Sequence, residues 1–234
     1  MTKKLLKTAA LLLGGAVLLS QQAQATLTLK LTQTGETDFV AVDNVSNDAD
    51  GGIANHVFFT NPNFGSWAIN SETGDTLFGS PSKPFLNILS LNTTAAAGAI
   101  NPLHIYLSDT SFTGQPLSFL GDINASANNG VSIQYFLYAD SGNALFGTGT
   151  TLFDSGVLTP GQTLTGVDLS SASFQNSGNP YSLTIELILT ATGNGVGTSF
   201  DASAQGVPEG GFTVALLGVG ISALGLMRWR LQKN

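Results

Sequence analysis

The chain contains no cysteine among its 234 residues. This absence excludes disulfides, thiol nucleophiles and the zinc or iron–sulfur sites that depend on cysteine. Stability must therefore come from a packed core, and the stretch 26–206 is long enough for one core of ordinary size. Regular apolar patterning and aromatic residues favour a folded domain over a disordered one.

Positive charge is also scarce. Three of the eight Lys and Arg residues lie before residue 26, and three lie after residue 206. The stretch 26–206 keeps only Lys30 and Lys83 against fourteen acidic residues, which is a formal charge of −12. A body this acidic excludes nucleic-acid binding by phosphate neutralisation and adhesion to anionic lipid. The negative charge is compatible with cation binding, or with a role in keeping the domain soluble.

The first 25 residues have the three parts of a secretory signal. A basic segment, 3–7, precedes the apolar run 8–19, and Ala23 and Ala25 form an A-x-A cleavage site. We predict a signal helix that is removed by signal peptidase after Ala25. The alternative is an N-terminal membrane anchor, but the apolar run is shorter than the roughly 20 residues that a span needs.

The remainder of the chain shows frequent alternation of apolar and polar residues. A period of two is typical of half-buried strands, and no stretch of the body carries the apolar stripe of an amphipathic helix. Short strands at close intervals predict an all-β domain over 26–206, an antiparallel β-sandwich or a jelly-roll-like variant. The predicted strands cover 27–31, 86–91, 103–107, 131–138, 163–169, 181–192 and 195–206.

Turn signals separate these strands. Asn129-Gly130 is a dipeptide typical of two-residue hairpins and predicts a hairpin just before the strand at 131–138. The segment 140–143, Asp-Ser-Gly-Asn, predicts a turn after it. The segment 195–206 is predicted to be the last strand, leading into a linker.

The C-terminal segment is apolar and ends in basic residues. As a helix, 212–227 would be about 24 Å long, which is short against a bilayer core of about 30 Å. Arg228 and Arg230 follow it and are predicted to hold that end in the cytoplasm. We predict a single transmembrane helix at 212–227; the alternative is a buried C-terminal helix.

The order of features at this end resembles a PEP-CTERM sorting signal. Val207, Pro208 and Glu209 precede the short apolar helix, and the basic tip 228–234 follows it. The resemblance implies recognition by an exosortase, a membrane enzyme thought to cleave such tails near the motif. It further implies export across the inner membrane of a Gram-negative bacterium that makes exopolysaccharide, with a final place at the cell surface or in a biofilm matrix.

The motif segment 207–211 departs from the family's pattern at one position. The third motif residue is proline in the family, and here it is Gly210, followed by Gly211. Proline would hold the backbone extended, whereas two glycines leave it flexible. Two fates are therefore open: removal of the tail, or retention as a permanent single-pass anchor.

The segment 43–52 gathers acidic and amide side chains around a glycine turn. Asp43, Asp48 and Asp50 supply the hard oxygen ligands that Ca²⁺ prefers. An EF-hand register fails, because it puts Val57 where a bidentate glutamate belongs. A looser Ca²⁺ loop and a solvated polar turn both remain as interpretations.

No catalytic constellation is recognisable in the sequence. His56 and His104 are the only histidines, and His104 lies on the polar face of its strand. Ser108 and Asp109 are near it in sequence, but such proximity does not make a triad. No metalloprotease, nucleophile-elbow or phosphate-loop motif occurs. We therefore predict a protein that is not an enzyme.

Aromatic residues on the predicted strands are candidates for stacking on sugar rings, with Trp67 foremost. The others are Phe58, Phe59, Phe64, Tyr106, Tyr135 and Tyr138. These patterns indicate two functions. The first is a structural protein of the cell surface or extracellular matrix; the alternative is an exopolysaccharide-binding module with the same sorting tail. A hydrolase ranks third.

Overall fold

The computed structural model describes residues 27–50, 52–76, 84–96, 101–113, 117–127, 130–159, 164–168, 174 and 178–208. These residues form an all-β domain of twelve strands in two antiparallel sheets, which fits a β-sandwich. The strands are β1 (Thr28–Gln33), β2 (Phe39–Val42), β3 (His56–Phe64), β4 (Trp67–Asp75), β5 (Phe85–Ala95), β6 (Leu103–Phe112), β7 (Leu117–Ala127), β8 (Val131–Asp140), β9 (Thr150–Leu158), β10 (Leu164–Asp168), β11 (Tyr181–Ala191) and β12 (Gly197–Pro208).

Each sheet contains six strands. The first sheet has the order β2-β1-β6-β11-β8-β9, and the second has the order β10-β7-β12-β5-β4-β3. Sheet neighbours such as β1 and β6 are brought together by crossovers, so many pairings join distant parts of the chain. The central strands, those with a neighbour on each side, are β1, β6, β11 and β8 in the first sheet and β7, β12, β5 and β4 in the second.

The core lies between the sheets and is built from the alternate residues of each strand. In β11, for example, Leu183, Ile185 and Leu187 are fully buried and point inward. Alternation along a strand sends every second side chain to the same face. The predicted period-two pattern is therefore confirmed for β1, β6, β8 and β11.

The predicted hairpin at Asn129-Gly130 is wrong. β7 ends at Ala127 and β8 begins at Val131, as a short connection requires, but the two strands belong to different sheets. The connection crosses from one layer of the sandwich to the other. A local turn dipeptide cannot distinguish a hairpin from such a crossing, because that depends on which distant strands pair with each partner.

The last strand extends further than the predicted end of the exported domain. Val207 and Pro208 of the predicted sorting motif pair with Ser118 and Leu117 of β7. The backbone of both residues is therefore part of the sheet. Glu209 comes directly after them and lies outside the described residues.

The predicted signal peptide at 1–25, with Ala23 and Ala25, lies outside the described residues, as do the helix at 212–227, Arg228 and Arg230. Among the residues that are described, no helix is long and apolar enough to cross a membrane. The export and sorting hypotheses therefore continue to depend on the sequence.

Candidate functional site

The outer face of the first sheet carries a row of aromatic and charged side chains across its central strands. Lys30 is opposite Tyr106, Tyr106 is opposite Glu186, and Glu186 is opposite Phe136. All four project away from the core, because their strand neighbours are the buried leucines and isoleucines. We call this surface, together with a covering loop, the aromatic platform. Its residues are Lys30, His104, Tyr106, Phe136, Tyr138, Phe146 and Glu186.

Four of the platform's rings form two parallel pairs. His104 and Tyr106 alternate along β6, with ring centroids 6.2 Å apart and planes 14° apart. Phe136 and Tyr138 do the same along β8, at 5.7 Å and 11°. The strand between them is β11, which supplies Glu186. Side chains alternate between the two faces of each strand, so the residues between the buried ones place these rings side by side on the outer face.

Glu186 connects the two ring pairs through hydrogen bonds. Nδ1 of His104 donates to its Oε1 at 2.8 Å, and the hydroxyl of Tyr138 donates to its Oε2 at 2.9 Å. The Tyr106 hydroxyl is a third donor to the carboxyl group. Glu186 is only 7% exposed. It therefore fixes the rings on both neighbouring strands and has few acceptor positions left for a ligand.

These contacts shift the pKa values of the acid and of the two phenols. Burial tends to raise the pKa of Glu186, but the hydrogen bonds from His104, Tyr106 and Tyr138 outweigh it, and the pKa lies below its ordinary value. The pKa values of Tyr106 and Tyr138 are raised, first by burial and then by the neighbouring carboxylate. Glu186 is therefore ionised and both tyrosines are neutral at physiological pH.

The platform also contains the only lysine or arginine of the residues that the structure describes. The ammonium group of Lys30 lies 4.4 Å from the ring centroid of Tyr106 and 4.4 Å from that of Phe146. Both distances are within the range of a cation–π interaction. Lys30 therefore makes two ring contacts, and no described carboxylate lies within salt-bridge distance of it.

The loop 141–149, between β8 and β9, closes one end of the platform. It brings Phe146 edge-on to Tyr106, with centroids 6.2 Å apart. Phe146 and Asn143 both have positive φ, 57° and 56°. A left-handed backbone is unfavourable for a phenylalanine, so contacts elsewhere must hold it.

Hydrogen bonds to the sheet hold this loop in place. The Phe146 N–H donates to Oγ of Ser108 at 3.0 Å, and Oγ of Ser182 donates to the Ala144 carbonyl at 2.6 Å. Asn143 accepts a bond from the Ser111 N–H at 2.7 Å. Because the loop covers this end, Ser108 and Ser182 are fully buried although they lie on the outer face. At the other end of the platform the His104 side chain is 32% exposed.

Trp67 is not a glycan-stacking residue, which corrects the prediction. Its side chain is 1% exposed and packs in the core, and its Nε1 donates to the Asn101 carbonyl at 3.1 Å. Phe59, Phe64 and Tyr135 are buried as well. Of the aromatic candidates named from the sequence, Tyr106 and Tyr138 are the two that the structure brings together on the platform.

The carboxylates of the predicted Ca²⁺ loop accept hydrogen bonds from backbone amides of the connection between β2 and β3 and of β3 itself. Asp48 accepts from the N–H groups of Asn44 and Phe58, both at 3.0 Å, and Asp43 accepts from Asn55 at 2.7 Å. Within the described ranges, no group of three or more His, Asp or Glu side chains is arranged to hold a metal ion. Ca²⁺ binding by Asp43, Asp48 and Asp50 stays a prediction, and the hydrogen bonds already explain the aspartates.

His56 connects this loop to the second sheet. Its Nδ1 contacts the Asp50 carboxylate, and its Nε2 is 3.7 Å from Oδ1 of Asp75. Burial tends to raise the pKa of Asp50, but hydrogen bonds from His56 and the Gly52 N–H bring it below its ordinary value. Burial raises the pKa of Asp75, and the Asp50 charge adds to that. His56 therefore has a structural role, because it joins Asp50 in the loop to Asp75 at the end of β4.

His104 and Ser108 are not brought together as a nucleophile and base. His104 bonds to Glu186, while Ser108 Oγ donates to the Leu183 carbonyl at 3.1 Å and lies 3.0 Å from Thr184 Oγ1. Four platform residues, Lys30, Phe136, Phe146 and Glu186, are not among the site residues predicted from the sequence. Three of them were visible as the polar-face partners of apolar strands, but only the strand order shows that they are neighbours.

Comparison with known proteins gives distant similarities only. No protein-family model and no curated protein matches the chain. Among solved structures, TmCBM61 in complex with β-1,4-galactotriose is 11% identical, with 60% of this chain and 88% of that chain covered and a TM-score of 0.28. The infectious bursal disease virus Gx strain is 13% identical, with 80% and 56% covered and a TM-score of 0.30. The VP2 subviral particle of that virus is also 13% identical, with 83% and 54% covered and a TM-score of 0.29. Similarities this weak carry no argument about function, which must come from the platform and the sequence.

Proposed function

We propose that this chain is an exported, non-catalytic binding module that holds a polysaccharide on the aromatic platform. The observation that supports this most is the pair of parallel ring rows on an outer sheet face, fixed by one buried carboxylate. Binding sites combine apolar and aromatic surface with a few placed polar groups. The platform has both.

The rings suit a saccharide because sugars present apolar C–H faces and polar edges. Tyr106, Phe136 and Tyr138 offer half-buried aromatic surface that needs little further ordering, since their neighbours already restrict them. The hydroxyls and the imidazole supply polar groups at the ring edges. A chain of sugar units would follow the platform from the exposed His104 towards Phe146.

The proposal that the protein is not an enzyme has its own support. Glu186 is the carboxylate that the platform's rings surround, and three donors keep it ionised. A general acid needs a pKa near the working pH, and the shift here is in the opposite direction.

The proposed location is the cell surface or extracellular matrix of a Gram-negative bacterium. The signal at 1–25 and the PEP-CTERM-like tail at 207–234 support it, with signal peptidase and an exosortase-like membrane enzyme as processing partners. In this proposal the exported domain binds exopolysaccharide and so attaches the protein to the matrix. A purely structural matrix protein with the same tail is the competing hypothesis.

Binding to immobilised saccharides tests the proposed function. We expect saturable binding that is lost on Tyr106→Ala and on Tyr138→Ala. Phe85→Ala is the matched control, because Phe85 is a half-buried aromatic residue on β5 in the other sheet. Equal losses in all three variants, or no binding by the unchanged protein, would favour the structural hypothesis.

A further inference from the structure

Lys30 has an unusual position for the one lysine or arginine among the described residues. The stretch 26–206 carries a formal charge of −12 and holds only two lysines. One of the two is placed on the aromatic platform. Among the described residues, no carboxylate lies within salt-bridge distance of Lys30.

The position of the ammonium group is defined by two rings. It lies 4.4 Å from the centroids of both Tyr106 and Phe146, and Phe146 is held there by the Ser108 hydrogen bond despite its positive φ. The rings hold the cation through their quadrupoles but do not neutralise its charge. A fixed, unneutralised cation at the closed end of a binding surface is a place for an anionic group.

We propose that the polysaccharide bound by the platform carries an acidic sugar, and that Lys30 binds its carboxylate. This inference depends on the proposed saccharide-binding function and specifies its ligand. A carboxylate at Lys30 would gain a charge-assisted hydrogen bond, while the neighbouring sugar units would lie on the rings of Tyr106, Phe136 and Tyr138.

The surrounding charge restricts how many acidic groups the ligand carries. Asp154 occupies the same row as Glu186 and Phe136, at the β9 edge, and accepts hydrogen bonds from Gln134 and the Gly156 N–H, both at 2.8 Å. Its charge, that of Glu186 and the acidic body as a whole repel a densely charged polyanion. The ligand that fits is a chain in which single acidic units are separated by neutral ones.

The test uses saccharides in matched pairs. Each uronic-acid-containing oligosaccharide or polysaccharide, gellan among them, is immobilised beside its carboxyl-reduced neutral form. The unchanged protein is expected to prefer the acidic member by roughly tenfold or more, as a charge-assisted hydrogen bond implies. The preference should weaken as salt is added.

Three variants show whether Lys30 causes the preference. Lys30→Gln should bind both members about equally, and Lys30→Arg should keep the preference. Lys83→Gln removes the other lysine of the stretch 26–206, which precedes the first residue of β5 by two positions in the sequence, and should behave like the unchanged protein. Melting curves of each variant show that it is folded.

The outcomes separate this inference from the function on which it depends. Equal or better binding of the neutral members by the unchanged protein would overturn the role of Lys30 and leave saccharide binding intact. A preference that survives Lys30→Gln would do the same. Absence of binding to every member would contradict the proposed function, and this inference with it.

Discussion

His104 and Glu186 are joined by a hydrogen bond of 2.8 Å between Nδ1 and Oε1, across neighbouring strands of the first sheet. The residues are 82 positions apart in the sequence. Glu186 is directly opposite Tyr106, so the bond to His104 runs diagonally to the next pair on the same face. This one contact ties the outer face of β6 to that of β11 and orients the rings that we propose bind a saccharide.

The Glu186 contacts predict a dependence of stability on pH. Because the pKa of Glu186 in the folded protein is below the ordinary value of 4.5, the carboxylate stabilises the fold above that pH. The contribution is lost as the pH falls through the folded-state pKa. We expect Glu186→Gln to cost about 1.5–3 kcal/mol at neutral pH. Denaturant unfolding should show that difference shrink below about pH 4.5. A cost that is constant from neutral to acid pH would contradict the electrostatic explanation.

Ser108→Ala should loosen the loop 141–149. The change removes the acceptor of the Phe146 N–H, and an unpaired buried donor costs about 1–3 kcal/mol. Ser132→Ala is the control, since the Ser132 hydroxyl makes a longer bond of 3.5 Å on a less buried part of the same face. Chemical denaturation gives the two costs, and hydrogen exchange at Phe146 should accelerate in Ser108→Ala alone. Similar costs for both serines would mean that the loop does not depend on this bond.

Trp67→Ala should destabilise the fold by about 3–5 kcal/mol, because it leaves a cavity in the core. Trp67→Phe keeps most of the volume and loses the bond to the Asn101 carbonyl, so its cost should be smaller. Saccharide binding by the folded fraction of either variant should be unchanged. A folded Trp67→Phe protein without saccharide binding would show that this side chain acts at the binding surface.

Chelation of Ca²⁺ should leave the melting temperature of the exported protein unchanged. Asp43 and Asp48 already accept backbone hydrogen bonds, so the loop keeps its conformation without an ion. Asp48→Ala should lower stability by about 1–2 kcal/mol, as for the loss of a capping side chain, with or without chelator. Calorimetry with and without added Ca²⁺ measures both. A melting temperature that falls on chelation would establish the Ca²⁺ loop at Asp43, Asp48 and Asp50.

The sorting tail predicts the mass of the mature protein. In a host with an active exosortase, we expect an N-terminus at Thr26 and loss of the residues after about 209, because Pro208 is the last residue of β12. Arg228→Glu with Arg230→Glu should block processing, since acidic residues do not retain a helix end in the cytoplasm. Intact-mass measurement decides between the two fates. A chain ending at Asn234 would identify the tail as an ordinary anchor.

The all-β class and much of the core could be predicted from the sequence, and the reason is local. Leu183, Ile185 and Leu187 alternate with polar residues, and that period fixes which face is buried whatever strand lies alongside. Strands with weaker alternation, such as β3 and β7, were missed, because glycine, asparagine and serine interrupt the pattern.

The candidate site could be predicted only in part, because it depends on strand order. Tyr106 and Tyr138 were named from their residue type, and so was Trp67, which is buried. The sequence alone does not show whether Trp67 faces the core or the solvent. That depends on how its strand, β4, pairs with β5. Glu186 lies on the polar face of its strand, and it is buried because β6 and β8 both pair with that strand.

Mapping a bound saccharide onto the protein by NMR shows whether the aromatic platform is the face that binds it. The ligand is the saccharide retained best in the binding assay, and the observable is the change in amide and ring signals on titration. We predict that the largest changes fall on Lys30, His104, Tyr106, Phe136, Tyr138 and Phe146, with little change at Phe85 in the second sheet. Changes concentrated on the second sheet, with the platform unaffected, would contradict the proposal that this face binds the polysaccharide.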